Sequence, residues 1–500
     1  MRRLGPCAIA LACACSHAPA AVERRPAFLE LESEHFSLVT DVPERDGRET
    51  LRQLEDVRAA LLEGSWRRAL PAGEKLRVLQ FRSGAELHEF ASPGMDAFYQ
   101  RIDLFGEPML VMSTEQGPAH SAVLKHELAH ALHAGFLLRT PRWFSEGMAC
   151  YLETIRYDAL TDRYVIGEPS APRLAYLRMH PEIDFARMLS MSTREAVLLR
   201  DDGYAFQSAG WLAVFYLANE RRTQLDAYIQ RLAQGDDPEK AFAAVGLSRE
   251  GLVRALVPYR ETQTRRRIEP TTWESDYRFS EVHLVPWRGE VRVGALAPAD
   301  VEALRAELFF LSPGIARAEA RVEQAAEAAD AALRLDPAHP LALAVHLAMS
   351  PTGDNPALLG RIRSAAASRP DDFRAQLLLA LALPRDEASQ QRDALARAAA
   401  LAPRNAPVLN ALAWHDVTHG RVHDALPVAE EAARLAPGNA AVLDTLATAL
   451  AVSSRCPEAT RVEERAIEIA GERASAEFRR QMLARLDAMR AGCGAVPLEY

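Results

Sequence analysis

Two histidines and a glutamate stand at a spacing that could hold and use a metal ion. His126 and His130 are four residues apart, so on a helix they lie one turn apart on the same face. Two imidazoles arranged in this way can bind a single ion, and the His-Glu-x-x-His pattern is typical of zinc sites. Glu127 follows His126, and its carboxylate would lie beside a metal-bound water as a general base. The spacing predicts a zinc site.

A third ligand is needed, because a catalytic zinc site has three protein ligands and one open position. Glu146 lies in a second apolar segment with helical spacing, and Pro141 suits the start of that helix. Gly147 and Ala149 are small, which would let the second helix approach the first closely. We therefore predict that His126, His130 and Glu146 bind Zn²⁺.

The region that carries this site mixes strand and helix signals. Apolar or alternating segments predict strands at His35–Thr40, Leu76–Phe81 and Pro108–Ser113, the last of them as a sheet edge that could pair with an extended peptide. Helical spacing is found in Thr50–Leu62, Ser121–Gly135, Pro141–Tyr157, Tyr204–Asn219, Gln224–Ala233 and Arg249–Tyr259. We predict an α+β domain with a small sheet over residues 28–262.

The two site segments together resemble a known enzyme family. His-Glu-Leu-Ala-His at His126–His130, followed by Trp-Phe-Ser-Glu-Gly-Met-Ala at Trp143–Ala149, is similar to the gluzincin zinc metallopeptidases, and within them to the peptidase MA-like branch, which often sits beside tetratricopeptide repeats. The resemblance implies a zincin-like domain in which Glu127 activates water. It also implies an oxyanion donor from a later helix, for which Tyr204 is the candidate; a packing role is the alternative reading of Tyr204.

Three residues near the site have more than one reading. Some gluzincins carry a carboxylate four residues after the glutamate ligand, but this sequence has Cys150 there. Glu153, two turns after Glu146, could hold a histidine in its place. Cys150 is interpreted as a small buried residue and not as a ligand, and His133 as a solvated or packing histidine, because it is about 10 Å along the axis from His126.

Beyond residue 300 the composition shifts to alanine, leucine and arginine, and prolines recur at a fixed interval. Pro337, Pro370, Pro403 and Pro437 are 33 or 34 residues apart, a period typical of stacked helical hairpins. The small and apolar residues of these units resemble those of tetratricopeptide repeats. We predict a connector at 263–300 and an all-α solenoid with a C-terminal cap at 301–480, which either binds a protein partner or packs on the first domain.

Composition limits the function classes. The 500 residues have 49% hydrophobic and 25% charged residues, as expected for globular domains, and a net charge of -9, which argues against nucleic-acid binding. Residues 1–20 have the features of a signal peptide, with a lipid anchor at Cys13 as the alternative and the only route to a membrane. We therefore expect a periplasmic or extracellular location, and a disulfide between Cys456 and Cys493.

These observations lead to a prediction with an open alternative. The prediction is a secreted zinc-dependent peptidase in which zinc activates water, Glu127 is the general base, and a peptide or protein is the substrate. The alternative is a non-catalytic or weakly active scaffold that binds a protein partner through its helical repeats. A zinc hydrolase that acts on a non-peptide amide would use the same residues.

Overall fold

The computed structural model describes most of the chain. The described residues are 27–66, 75–91, 97–100, 104–114, 122–137, 139–191, 195, 203–265, 280–311, 318–349, 355–471, 474–493 and 496–498. The predicted signal peptide at 1–20, including Cys13, lies outside them. Within these ranges, no helix combines the length and the hydropathy that crossing a membrane would require.

A six-stranded sheet and a three-stranded sheet form the β part of the chain. The strands are β1 Leu29–Glu32, β2 Phe36–Thr40, β3 Leu76–Phe81, β4 Ala97–Gln100, β5 Met109–Ser113, β6 Arg156–Asp158, β7 Arg163–Ile166, β8 Ser280–Val282 and β9 Arg292–Ala295. The large sheet has the order β4-β5-β3-β2-β1-β9, and the small sheet has the order β6-β7-β8. Strands β2, β3 and β5 are parallel, whereas β4, β1 and β9 pair antiparallel to their neighbours.

Two sequence expectations change in the sheets. Strand β5 pairs with β3 on one side and with β4 on the other, so the expectation that Pro108–Ser113 is a free sheet edge is wrong. The stretch read as a connector, 263–300, returns β8 to the small sheet and β9 to the large sheet. Both strands therefore belong to the N-terminal α+β part of the fold.

Helices surround the sheets in the first half of the chain. They are α1 Glu44–Leu61, α2 Gly84–Leu87, α3 Ala122–Phe136, α4 Arg142–Leu152, α5 Ala171–Met179, α6 Phe185–Ser190, α7 Gly203–Glu220, α8 Arg222–Gln234, α9 Pro238–Ala244 and α10 Arg249–Arg265. Helix α4 is shorter than the sequence indicated, because the backbone turns after Leu152 and β6 begins at Arg156.

Stacked helical hairpins make up the second half, as the proline period predicted. The helices are α11 Pro298–Leu311, α12 Ala318–Leu335, α13 Pro340–Met349, α14 Pro356–Ser368, α15 Phe373–Ala382, α16 Ala388–Leu401, α17 Ala406–Thr418, α18 Val422–Leu435, α19 Ala440–Val452, α20 Cys456–Ala470 and α21 Ala476–Arg490. Each repeat proline lies two residues after the end of a helix. Two residues later, Asp372, Asn405 and Asn439 cap the next helix through their side chains.

The large sheet is buried on both faces. Val78 and Leu110 point into the core that contains α1, α3, α4 and α7. Their neighbours Leu79 and Val111 point to the opposite face and pack in a second core with the first repeat helices, including Phe309 of α11. Alternation along β3 and β5 therefore joins the α+β part to the helical repeats through one sheet.

A disulfide closes the C-terminal end, as the sequence predicted. Cys456 begins α20 and Cys493 follows α21, and the two residues are bonded with a Cα–Cα distance of 5.9 Å. The bond attaches the capping helix to the last hairpin. Among the described cysteines, Cys150 is the free one, and it is buried.

Candidate metal site

Helices α3 and α4 bring the three predicted ligands together. His126 and His130 lie one turn apart on α3, and Glu146 reaches them from the middle of α4. The ligand atoms of these three residues all lie within 4.8 Å of one another. The site is enclosed, with 8%, 13% and 5% of the respective side chains exposed.

The separations fit a small tetrahedral ion. The two Nε2 atoms are 3.1 Å apart. His130 Nε2 is 3.2 Å from Glu146 Oε1, and His126 Nε2 is 3.5 Å from Glu146 Oε2. Two ligands about 2.1 Å from zinc at tetrahedral angles would be about 3.4 Å apart. These residues therefore fit a zinc ion, which would be bound by both Nε2 atoms and the Glu146 carboxylate.

Hydrogen bonds at the other ring nitrogens leave both Nε2 atoms for a ligand. Nδ1 of His126 lies 3.1 Å from Glu153 Oε2, and Nδ1 of His130 lies 3.3 Å from the Ser145 hydroxyl. When Nδ1 donates its proton to a carboxylate, Nε2 carries the lone pair that binds a metal. Glu153 therefore occupies the orienting position that its spacing from Glu146 suggested.

Positive charge gathers around the Glu146 carboxylate. Arg142, one turn earlier on α4, places Nη2 2.7 Å from Glu146 Oε1, and the Gln207 amide of α7 donates to Oε2 at 3.4 Å. Burial alone would raise the pKa of Glu146, but His130, His126 and Arg142 lower it well below its usual value. Glu146 is therefore the negatively charged member of the site.

The base candidate and the third histidine have different surroundings. Burial raises the pKa of Glu127, and the two histidine ligands partly oppose that change. A carboxylate poised in this way next to a bound ion could accept a proton from a coordinated water. Burial lowers the pKa of His133 to about 3, so this ring is neutral and buried in the core, as the packing interpretation predicted.

The small residues of α4 serve a different contact from the one the sequence suggested. A Cβ on Gly147 would overlap the carbonyl oxygen of Gly210 in α7, and a Cβ on Gly210 would lie 2.7 Å from the Trp143 carbonyl oxygen. The prediction that Gly147 lets α4 approach α3 is therefore wrong. Its partner is α7, and the close crossing of α4 and α7 brings Gln207 to Glu146.

Cys150 and Tyr204 lie behind His126, away from its Nε2. The Cys150 sulfur is 3.8 Å from His126 Nδ1, and burial raises the pKa of its thiol. Tyr204 packs its ring against Tyr176, with centroids 4.8 Å apart, and against the Arg173 guanidinium at 5.1 Å. Among the described side chains of α7, Gln207 and not Tyr204 contacts Glu146, which agrees with the packing reading of Tyr204.

Three site residues were not identified from the sequence. Arg142 had a usable signal, because it precedes Glu146 by four residues and could pair with it on a helix. Gln207 and Arg173 had none, because each lies far along the chain from the residue that it contacts. Only the packing of α7 and α5 on α4 brings them to the site.

Comparison with known proteins places the chain among helical repeat structures only. No family model and no curated protein matches it. A human IFIT1 dimer with m7Gppp-AAAA is similar with a TM-score of 0.31 and 14% identity, over 65% of this chain and 69% of that chain. Yeast Tom70 is similar with a TM-score of 0.31 and 12% identity, over 73% and 69%. At these values the likeness is limited to the architecture of the helical repeats.

The prediction of a secreted zinc-dependent peptidase is corrected on this ground. The similar solved structures are helical repeat proteins that bind partners, and they are not peptidases. The predicted peptide substrate is withdrawn with it. The scaffold alternative takes its place, and the residues of the metal site retain the geometry described above.

Proposed function

We propose that this protein is a scaffold, non-catalytic or weakly active, that binds a protein partner through its helical repeats. Its N-terminal part would be a zincin-like domain that holds a zinc ion at His126, His130 and Glu146. One contact within the chain carries the partner-binding proposal. The loop Leu104–Glu107 lies on the N-terminal turns of two repeat helices, α15 and α17, and so indicates which chemistry these turns can bind.

The loop is held by an aromatic anchor and by a charged pair. Phe105 is buried, with its ring 6.5 Å from that of Phe373 and 5.9 Å from the Arg374 guanidinium. Glu107 Oε2 accepts a hydrogen bond from Arg374 Nη2 at 2.7 Å. Gly106 has a φ of 85°, and a Cβ there would overlap Pro407. The repeats thus bind a turn with an aromatic residue and, two positions later, a carboxylate.

A fourth contact fixes the backbone of the loop. Glu307 of α11 is fully buried, and its Oε1 accepts a hydrogen bond from the Leu104 amide at 3.1 Å. The recognition therefore uses a main-chain group, an aromatic side chain and a charge. Short peptide ligands are held by the same combination in other binding domains. A protein partner with an exposed Phe-Gly-Glu turn would match this surface.

A labelled peptide with the sequence of residues 102–110 tests the proposal on the full chain. In wild type the site is filled by the chain's own loop, so we expect little binding. Phe105→Ala and Glu107→Gln loosen that loop, and fluorescence anisotropy should then show saturable binding of the added peptide. Adding Arg374→Glu should abolish this binding, and a peptide with lysine at position 107 should restore it. Absence of binding to both loosened chains would refute partner recognition at this surface.

The metal part of the proposal has its own measurement. We expect about one zinc per chain in wild type by elemental analysis, and loss of that zinc in His130→Asn. His180→Asn is the matched control, because His180 is exposed and bonds to Glu182 outside the site. Zinc at equal stoichiometry in both variants would overturn the metal site. The predicted export from the cytoplasm agrees with the Cys456–Cys493 bond.

A further inference from the structure

Arg173 lies behind the metal site and contacts none of its three ligands directly. It comes from α5, is 5% exposed, and grips Glu153 with three hydrogen bonds. Nε and Nη2 of Arg173 donate to Oε1 at 2.9 and 2.8 Å, and Nη2 also donates to Oε2 at 2.9 Å. A planar guanidinium held in this way fixes both the position and the plane of the carboxylate.

Glu153 passes that constraint to His126. Its Oε2, which accepts from Arg173, is also the atom 3.1 Å from His126 Nδ1. Glu153 directly follows the last residue of α4, where a long side chain without a partner would have several rotamers. The Arg173 fork therefore selects the one rotamer that faces the imidazole.

The outer face of Arg173 is covered by aromatic rings. Tyr204 lies over the guanidinium at 5.1 Å, and Tyr176 supports Tyr204 edge-on at 4.8 Å. Tyr204 is 40% exposed, so it stands between Arg173 and solvent. A cation under an aromatic ring is held in place and shielded from water. Tyr204, Arg173, Glu153 and His126 thus form a continuous series of contacts.

A second metal ion is the competing explanation for this cluster. The ligand atoms of His126, Cys150 and Glu153 also lie within 4.8 Å of one another. However, Arg173 already supplies a positive charge to both oxygens of Glu153. A second cation at this place would be repelled by the guanidinium at short range. The cluster is built to orient His126.

We propose that Arg173 is a positioning residue, which acts through Glu153 to hold the His126 ring with Nε2 directed at the metal, and that Tyr204 keeps Arg173 in place. This inference rests on the proposed zinc site. It assigns to α5 and α7 a role in setting metal affinity, although neither helix supplies a metal ligand.

Metal affinity and a spectroscopic signature test the inference on the full chain. Zinc dissociation constants are measured by competition with a chromophoric chelator, and the ligand field is measured from the visible absorption of the Co²⁺-substituted protein. We expect Arg173→Gln and Glu153→Gln to weaken zinc binding by about 10- to 100-fold and to change the Co²⁺ spectrum. Arg173→Lys keeps the charge without the fork and should lie between these variants and wild type.

Matched variants separate positioning from stability. Arg156→Gln breaks a similar fork, Arg156 to Glu168 at 2.8 and 2.7 Å, that has no contact with His126 in the described structure, and it should leave zinc affinity unchanged. Tyr204→Leu should weaken zinc binding by about 2- to 5-fold, whereas Tyr204→Phe, which keeps the ring, should not.

The outcomes distinguish this inference from the proposed function. If wild type takes up no zinc, the metal site and this inference both fail. If wild type binds zinc and Arg173→Gln binds it with the same affinity and the same Co²⁺ spectrum, only the positioning role is overturned. Should Arg173→Gln fail to fold, Arg173→Lys and the two Tyr204 variants decide the question by the same measurements.

Discussion

Arg485 of the last helix donates two hydrogen bonds to Asp444, from Nε to Oδ1 at 2.8 Å and from Nη2 to Oδ2 at 2.9 Å, and both side chains are fully buried. The pair ties α21 to α19. Because removing one partner leaves a buried charge, we expect Arg485→Leu to lower the free energy of unfolding by about 3–5 kcal/mol. Asp444→Leu/Arg485→Leu should regain most of the loss. Urea denaturation measures both, and a double variant as unstable as the single one would contradict the argument.

Glu463 makes the same helices sensitive to pH. Burial, together with the negative charge of Asp444, raises the pKa of Glu463 to about 10. The folded chain therefore keeps a proton that the unfolded chain releases near pH 4.3. Stability from this proton is complete below that pH and is lost as pH rises toward 10. We expect the free energy of unfolding to fall by up to about 1 kcal/mol per pH unit between pH 6 and 9.

Two variants check this pH dependence by denaturation at several pH values. Glu463→Gln cannot release a proton, so its stability should be flatter over the same range. Glu464→Gln is the neighbouring control, because Glu464 pairs with Arg490 at the surface. Equal slopes in wild type and Glu463→Gln would show that Glu463 does not carry the effect.

The Cys456–Cys493 bond closes a loop with a sequence separation of 37. A loop of this length corresponds to about 3–4 kcal/mol in the chain-entropy account of disulfides. We expect Cys493→Ser to lower the thermal midpoint and reductant to have no further effect on that variant. Intact mass after alkylation should show one labelled thiol, Cys150, only when the chain is unfolded. Alkylation of Cys456 in the native oxidised chain would contradict the bond.

Gly147 faces the backbone of Gly210 too closely for a side chain. We expect Gly147→Ala to push α4 from α7 and to destabilise the chain by about 1–3 kcal/mol. Gly360→Ala is the control, since Gly360 of α14 has nothing within 4 Å of an added Cβ and should gain about 0.5–1 kcal/mol. Thermal unfolding of the two variants measures the contrast. Similar midpoints would show that the crossing tolerates a methyl group.

Glu127 and Glu146 lie at the same site with different roles. Glu146 belongs to the group of ligand atoms, whereas Glu127 does not. We expect Glu146→Gln to lose bound zinc and Glu127→Gln to keep about one equivalent. Elemental analysis after gel filtration measures both. Loss of zinc in Glu127→Gln would place that residue among the ligands.

The sequence predicted those features of the fold that depend on local periodicity. Leu76–Phe81 forms a strand as expected, because its apolar run is bounded and short. The helical repeats were readable because a proline follows each hairpin at a fixed offset. Strand Arg292–Ala295 was missed, because it is a short, exposed edge strand without apolar alternation. It is defined by its pairing with Leu29–Glu32, which comes from the other end of the domain.

The candidate site divides in the same way. His126, His130 and Glu146 follow from spacing on two helices, and the structure brings their ligand atoms together. The contact of Gln207 with Glu146 and the fork from Arg173 to Glu153 depend on how α5 and α7 pack on α4. No local pattern encodes such packing, so these contacts could be read only from the structure.

The two-sided burial of the large sheet limits how the protein can be divided. A fragment that ends at residue 262 would lose the β9 edge strand and would expose Leu79, Phe81 and Val111 to water. Such a fragment should aggregate instead of folding as an autonomous unit. The zinc-site half and the repeat half should therefore unfold in a single cooperative transition, so that a ligand bound by either half protects the other from proteolysis.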